Sequence, residues 1–151
     1  SLIAAYVNNQ STNDSAINSS VSYLRNKSIS FSGSVAIVSI CIAISNLNPG
    51  FENDGRYGLL GWTNYVPLQN RMGINWQSNR SGQFDYILDN IRFNNSSLYS
   101  RLRQGKNIIA EAKQLSEELL KFWKLIPKSD VNKIINSVWN QNQQLIGGKQ
   151  Q

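Results

Sequence analysis

The segment from Val35 to Leu47 constrains this chain more than any other, because it is the only long apolar run, broken by Ser39, Ser45 and Asn46. Within it, Val35-Ala36-Ile37-Val38-Ser39-Ile40-Cys41-Ile42-Ala43-Ile44 presents no continuous polar face at either the helical or the strand period. The β-branched residues would suit a buried strand on propensity alone. Buried strands, however, end after about four to eight residues, and a longer run that is apolar all round fits a helix enclosed on every side. The segment therefore predicts a central helix, and the rest of the chain must supply the elements that wrap it. It falls short of the about 20 residues that a bilayer requires, and no basic segment or small-residue cleavage site precedes it.

With 151 residues and 40% apolar content, the chain can fill one sizeable core as one domain. Ile17, Val21 and Leu24, spaced by four and three, place a first helix from Ser15 to about Lys27. A polar lead-in over residues 1–14 precedes it, and its end, Ser11-Thr12-Asn13-Asp14, reads as a capping stretch. Ser28 to Ser34, which contains Gly33, reads as a connection to the central helix. Between Asn46 and Tyr57, Pro49-Gly50 and Asp54-Gly55 mark turns, the second suited to a small hairpin. Further helices are predicted from Val66 to about Met72, from Gln83 to Phe93 with Phe84, Ile87, Leu88 and Ile91 on one face, and over Ser96–Leu102. Ile108–Leu125 is the clearest amphipathic helix, with Ala112, Leu115, Leu119 and Phe122 in register. Pro127 is expected to end it, and Ser129-Asp130 to cap a last helix from Val131 to about Leu145. Residues 147–151 read as a linker or frayed tail, leaving a domain over 15–146. No internal repeat is evident.

The absence of histidine removes the Ser-His-Asp triad, the Cys-His pair and any His-containing zinc site. One cysteine, Cys41, allows no internal disulfide, and within the apolar run it reads as a small hydrophobe rather than a nucleophile. Proton transfer would have to fall on nine carboxylates, six tyrosines or the lysines. No Gly-x-x-x-x-Gly-Lys phosphate loop is present, and no cofactor or metal is expected. Fifteen Lys and Arg against nine acids give a net charge of +6, which points to a polyanionic partner: nucleic acid, a membrane surface or a bacterial wall. Between Gly55 and Lys106, Arg56, Arg71, Arg80, Arg92, Arg101, Arg103 and Lys106 face only Asp85 and Asp89. The aromatics do not interleave with these cations as on an RNA-binding surface, which argues against nucleic acid. Asparagine and serine occur 20 times each, so the polar surface is largely uncharged and Asn-X-Ser sequons follow from composition. A chain opening on Ser1 is expected to be an excised domain or a processed product.

Four segments follow one another in an order that resembles the phage tail lysozyme family, lysozyme-like muramidase domains carried on virion tail tips and knobs. Val21-Ser22-Tyr23-Leu24 looks like the family's opening helix. Val35 to Pro49 looks like its catalytic helix, which ends in Glu-Ser-x-aromatic or aliphatic-Asn-Pro. Tyr57-Gly58-Leu59-Leu60-Gly61-Trp62-Thr63 is similar to its Tyr-Gly-Leu-x-Gln-Trp-Thr segment, and Gln83-Phe84-Asp85-Tyr86-Ile87-Leu88 to its Gln-Leu-x-Phe-Ile helix. The resemblance runs through most of the chain. It implies a mostly α (α+β), lysozyme-like fold with a buried central helix and a small turn-rich or β-hairpin element.

The departures fall where the chemistry would be. Counting back from Pro49, Ile44 stands where the family carries its catalytic glutamate, and Gly61 stands where it carries glutamine. Glycoside hydrolysis needs a carboxylic acid to protonate the leaving oxygen, which isoleucine cannot supply. The resemblance thus implies a domain of a phage tail protein that has lost muramidase chemistry and keeps the scaffold for structure or cell-wall contact, with no catalytic residue expected. Its partners would be other virion proteins and peptidoglycan or an anionic wall polymer, and its location the virion, acting at the bacterial wall. The alternative is an active muramidase using displaced carboxylates, Glu52 and Asp54, in the loop after the central helix. Tyr57, Trp62 and Thr63 are candidates for contact with sugar rings, with Arg56 and Arg71 for an anionic glycan. For the aromatics and arginines alike, ordinary core or surface roles stand beside these readings, as they do for Trp123 and Trp139 on the C-terminal helices.

Overall fold

The structure, a computed structural model, describes residues 10–147. The order of elements is α1 (Gln10–Asn26), α2 (Phe31–Ser45), β1 (Glu52–Asn53), β2 (Arg56–Tyr57) and α3 (Val66–Met72). A 3-10 turn (Trp76–Ser78) then leads into α4 (Arg80–Asn94), α5 (Ser96–Gln104), α6 (Ile109–Trp123) and α7 (Val131–Gln141), with a last 3-10 turn at Gln143–Leu145. The fold is mostly helical with one small antiparallel hairpin, as the sequence predicts.

The apolar run is a helix. Every residue of α2 from Phe31 to Cys41 is buried, and α1, α5, α6 and α7 pack around it. Its start lies four residues before Val35, within the segment expected to be a connection. Ser30 supplies the cap: its Oγ accepts from Gly33 N at 2.9 Å, which satisfies a first-turn amide. Gly33 therefore belongs to the helix, and a Cβ there would stand 2.6 Å from the Leu102 carbonyl oxygen of α5. The glycine lets α2 and α5 approach, and Ser30 N donates to that same carbonyl at 2.9 Å.

Other boundaries shift for similar local reasons. α1 begins at Gln10, so Ser11 to Asp14 lie inside it and Asp14 is not its cap; residues 1–9 of the predicted lead-in lie outside the described residues. α4 starts at Arg80 because Asn79 Oδ1 accepts from Gly82 N at 2.8 Å, three residues ahead of the predicted start. α6 is closed by Lys124 in the left-handed conformation (φ 56°), upstream of Pro127. Asp130 caps α7 as predicted, accepting from Asn132 N and Lys133 N. Residues 148–151 of the predicted tail lie outside the described residues.

The core joins α2 to Ile17, Val21 and Leu24 of α1, Phe84, Ile87, Leu88 and Ile91 of α4, Ala112, Leu115 and Leu119 of α6, and Ile135 and Val138 of α7. Trp139 is buried with its ring edge-on to Phe31 at 4.6 Å, and Trp123 anchors α6 to α4 by donating to Asn90 Oδ1 at 2.9 Å. Both tryptophans hold helices together, as their helical positions suggest. Among the described residues, no helix is long and apolar enough to cross a membrane.

Candidate functional site

The site is built from the C-terminal end of α2. Asn46 and Leu47 both adopt left-handed backbone (φ 55° and 61°), and Leu47 N returns to Cys41 O at 3.2 Å, so the chain leaves the helix in a tight reversal. The Ser45 hydroxyl, buried at this point, donates to Leu59 O at 2.8 Å, with Cys41 O at 2.9 Å. That contact ties the helix end to the glycine-rich loop that follows the hairpin.

Asp54-Gly55 turns the hairpin, with positive φ at both residues (50° and 72°), the pairing that a two-residue turn between twisted strands requires. Tyr57 then exchanges both backbone hydrogen bonds with Trp62 at 2.8 Å, and residues 58–61 loop out between them. Because they form a directly opposed pair, Tyr57 and Trp62 emerge on one face. Arg56 Nη1 reaches around to donate to Gly61 O at 3.2 Å.

Gln83 on α4 holds this loop from beneath. It is fully buried, its Oε1 accepts from Leu59 N at 2.8 Å, and its Nε2 donates to Pro49 O and Trp76 O, each at 2.9 Å. One side chain thus satisfies three backbone groups from the helix exit, the loop and the 3-10 turn. A Cβ on Gly58 would stand 2.6 Å from Gln83 Oε1, so the glycine there is a consequence of this clamp.

Ile44 is half-buried against the core, and a Cβ on Gly61 would stand 2.9 Å from its Cγ2. The two positions singled out in the sequence are therefore in contact. Trp62 is half-buried and edge-on to Tyr86 at 5.1 Å, and its indole N–H is buried with no partner among the described residues. Tyr57 packs edge-on to Tyr65 at 5.3 Å, and Tyr65 in turn stacks on Trp76 at 5.9 Å with an interplanar angle of 11°. Arg71 on α3 pairs with Asp89 at 2.7 Å and lies 6.0 Å from the Tyr86 ring centre, so its charge is engaged within the protein. Thr63, Glu52 and Asp54 are exposed, the last two on the hairpin.

The structure thus gathers Ile44, Arg56, Tyr57, Gly61 and Trp62 in one region, with Arg71 joined to it through Tyr86. Sequence reasoning did not single out Tyr65, Trp76 and Tyr86 as members, since each sits on a different element and no local spacing connects them. The signal for Gln83 was present: a neutral polar residue flanking an apolar helical face, where a buried amide must find partners. Two cavities, of about 300 and 320 Å³, lie elsewhere, the first lined by Tyr99, Ser100, Arg103 and Gln104 and the second between α1 and the start of α4. Among the described residues, no three of His, Cys, Asp and Glu gather into a group that could hold a metal ion.

The fold and site together define a mostly α-helical chain with an aromatic cluster beside its hairpin. Compared with protein-family models, curated proteins and solved structures, the chain shows no significant match to any.

Proposed function

We propose that this chain is a lysozyme-like domain of a phage tail protein that has lost muramidase chemistry and serves a structural or cell-wall-contact role in the virion. The observation that carries the reading is the place of Ile44. It lies in the last turn of the buried helix, which residues 46–51 join to the hairpin, and packs against Gly61 of the aromatic loop. The sequence resemblance puts a catalytic glutamate at that position, so an aliphatic side chain there removes the general acid and leaves the scaffold. Tyr57 and Trp62, displayed on one face with Tyr65 and Tyr86 beside them, are the surface that would meet wall glycan. Glu52 and Asp54 are exposed on the hairpin.

Two measurements on purified protein test this. Suspensions of purified cell walls should show no fall in turbidity, and co-sedimentation with insoluble peptidoglycan should separate the two roles. Pelleting that weakens in Trp62→Ala marks wall contact, and no pelleting above a control protein marks a structural role. Clearing of the suspension that disappears in Glu52→Gln or Asp54→Asn would overturn the proposal in favour of a muramidase with displaced carboxylates.

A further inference from the structure

We propose that the face around α3 joins two copies of this chain in a weak dimer. Among the described residues six large apolar side chains are exposed, and their surroundings divide them into two groups. Phe93 lies under the Arg92 guanidinium at 4.6 Å, Ile126 stands two residues from both Lys124 and Lys128, and Ile108 follows Lys106 by two. Tyr65, Val66 and Ile74 sit instead in the stretch from Tyr57 to Asn79, where Arg71 is the only charged residue.

That one charge is offset from within, since Arg71 pairs with Asp89 at 2.7 Å. The hairpin, which meets Tyr65 through Tyr57, carries Glu52 and Arg56, of opposite sign. Tyr65 and Val66 lie at the head of α3 and are 40% and 44% exposed, and Ile74 follows its end and is 82% exposed. Buried Trp76 stacks against Tyr65, and Met72 is half-buried on the same helix. Aromatic residues and methionine with few charges make up the centres of protein interfaces. α7 also lacks charge after Lys133, but its exposed side chains there are those of Asn136 and Asn140, which offer no apolar area.

Charge selects the occupant. The commonest dimers have a two-fold axis, which sets a patch against the same patch of the second copy, so each charge in it faces its like. Across such an axis the cations beside Phe93, Ile108 and Ile126 would be driven together, which opposes association. Two copies of net charge +6 repel over most of their surface, and the α3 face lets them meet without adding to that repulsion. An acidic partner would favour the cation-fringed residues instead. The exposed apolar area is small, which suits a transient contact rather than a permanent one. This inference goes beyond the wall-contact reading: Val66 and Ile74 take no part in that surface, and oligomeric state is read without glycan.

The test is sedimentation velocity on the full chain at rising concentration, up to about ten times the expected Kd. A reversible monomer–dimer equilibrium should appear with a Kd on the order of 10⁻⁴ M. Added NaCl should tighten it, because salt screens the repulsion between the copies and the face has no ion pair to lose across the axis. Ile74→Asp and Val66→Asp should each weaken the dimer by about tenfold or more, although both lower the overall repulsion by reducing the net charge. Both positions are exposed, so circular dichroism should show the parent fold. Phe93→Ser and Ile126→Ser should leave the equilibrium unchanged. A monomer at every concentration, irregular larger species, or a dimer that salt weakens would overturn the proposal. So would a dimer that survives Ile74→Asp and Val66→Asp, or one lost in Phe93→Ser or Ile126→Ser.

Discussion

Gly61 lies against Ile44 so closely that a Cβ on the glycine would come within 2.9 Å of the isoleucine Cγ2, and Gly61 itself holds a φ of +66°. Both facts forbid a side chain at 61, for separate reasons. Left-handed backbone costs a non-glycine residue about 1 kcal/mol, whatever its surroundings. The contact with Ile44 adds a second penalty that depends on the residue at 44. Gly61→Ala should therefore destabilise the protein by about 1–3 kcal/mol. In an Ile44→Ala background, where Cγ2 is gone, only the backbone part should remain. A double-mutant cycle by urea denaturation should return a coupling of about 0.5 kcal/mol or more, and strict additivity would show that the two residues do not constrain each other.

Gln83 makes a sharper demand. Its amide meets one backbone N–H and two carbonyls in a fully buried setting, so Gln83→Leu strands Leu59 N and Pro49 O, while Trp76 O keeps the bond from Asn79 N. Each stranded group costs about 1–3 kcal/mol, and the total should reach about 2 kcal/mol or more. The loss should be visible locally before global unfolding, as faster amide exchange at Leu59, whose N–H is the donor. Unchanged protection at Leu59 in this variant would mean that the loop is held by other contacts.

The sequence displayed the frame of this fold better than its joints. The run from Val35 could be read as a central helix because no arrangement of strands buries so many consecutive apolar residues, and α2 is buried from Phe31 to Cys41. Asp54-Gly55 announced its hairpin because few dipeptides accept positive φ at both positions. Gly33 reads from the sequence as part of a connection, since helix propensity penalises glycine and nothing nearby reveals the Leu102 carbonyl that excludes a side chain. The aromatic surface was legible only in part. Tyr57 and Trp62 belong to one short segment, whereas Tyr65, Trp76 and Tyr86 join them through tertiary packing that leaves no spacing in the chain.

Gly33 permits a direct check of that reading. Alanine is the better helix former by about 0.5–1 kcal/mol, so propensity alone predicts that Gly33→Ala stabilises. The structure predicts the opposite, because the added methyl would meet a backbone oxygen at 2.6 Å and Ile29 Cγ2 at 2.9 Å. Backbone cannot rotate aside as a side chain can, and the net change should be a loss of about 1–2 kcal/mol. A rise in melting temperature would mean that α2 and α5 can separate without loss.

Cys41 gives a probe of global opening. It is fully buried in α2, and burial pushes its thiol well above the ordinary range, which leaves almost no thiolate at neutral pH. Its reaction with a disulfide reagent should be undetectable in the native protein and complete in urea. In intermediate denaturant the rate should follow the fraction unfolded measured by circular dichroism. Fast labelling without denaturant would indicate that α2 opens by itself.

The pair between Arg101 on α5 and Glu118 on α6 sets an acid dependence with a definite sign. Arg101 Nη1 meets Glu118 Oε1 at 2.6 Å, and Nη2 meets Oε2, a two-pronged contact between the helices. The Arg101 hydrogen bonds hold the Glu118 carboxyl below its ordinary value of 4.5, and the same bonds raise the guanidinium. A carboxyl depressed in the folded state contributes stability above its unfolded value and loses it as pH falls through the folded one. Because the side chains are 42% and 35% exposed, solvent screens the pair and its contribution should be no more than about 0.5–1 kcal/mol. Glu118→Gln should therefore be less stable than the parent at pH 7, and the two should converge as the pH is lowered below 4.5. The difference between the two stability curves reports the Glu118 charge. A difference that stays constant from neutral to acid pH would show that the glutamine substitution acts through packing and that the charge pair contributes nothing.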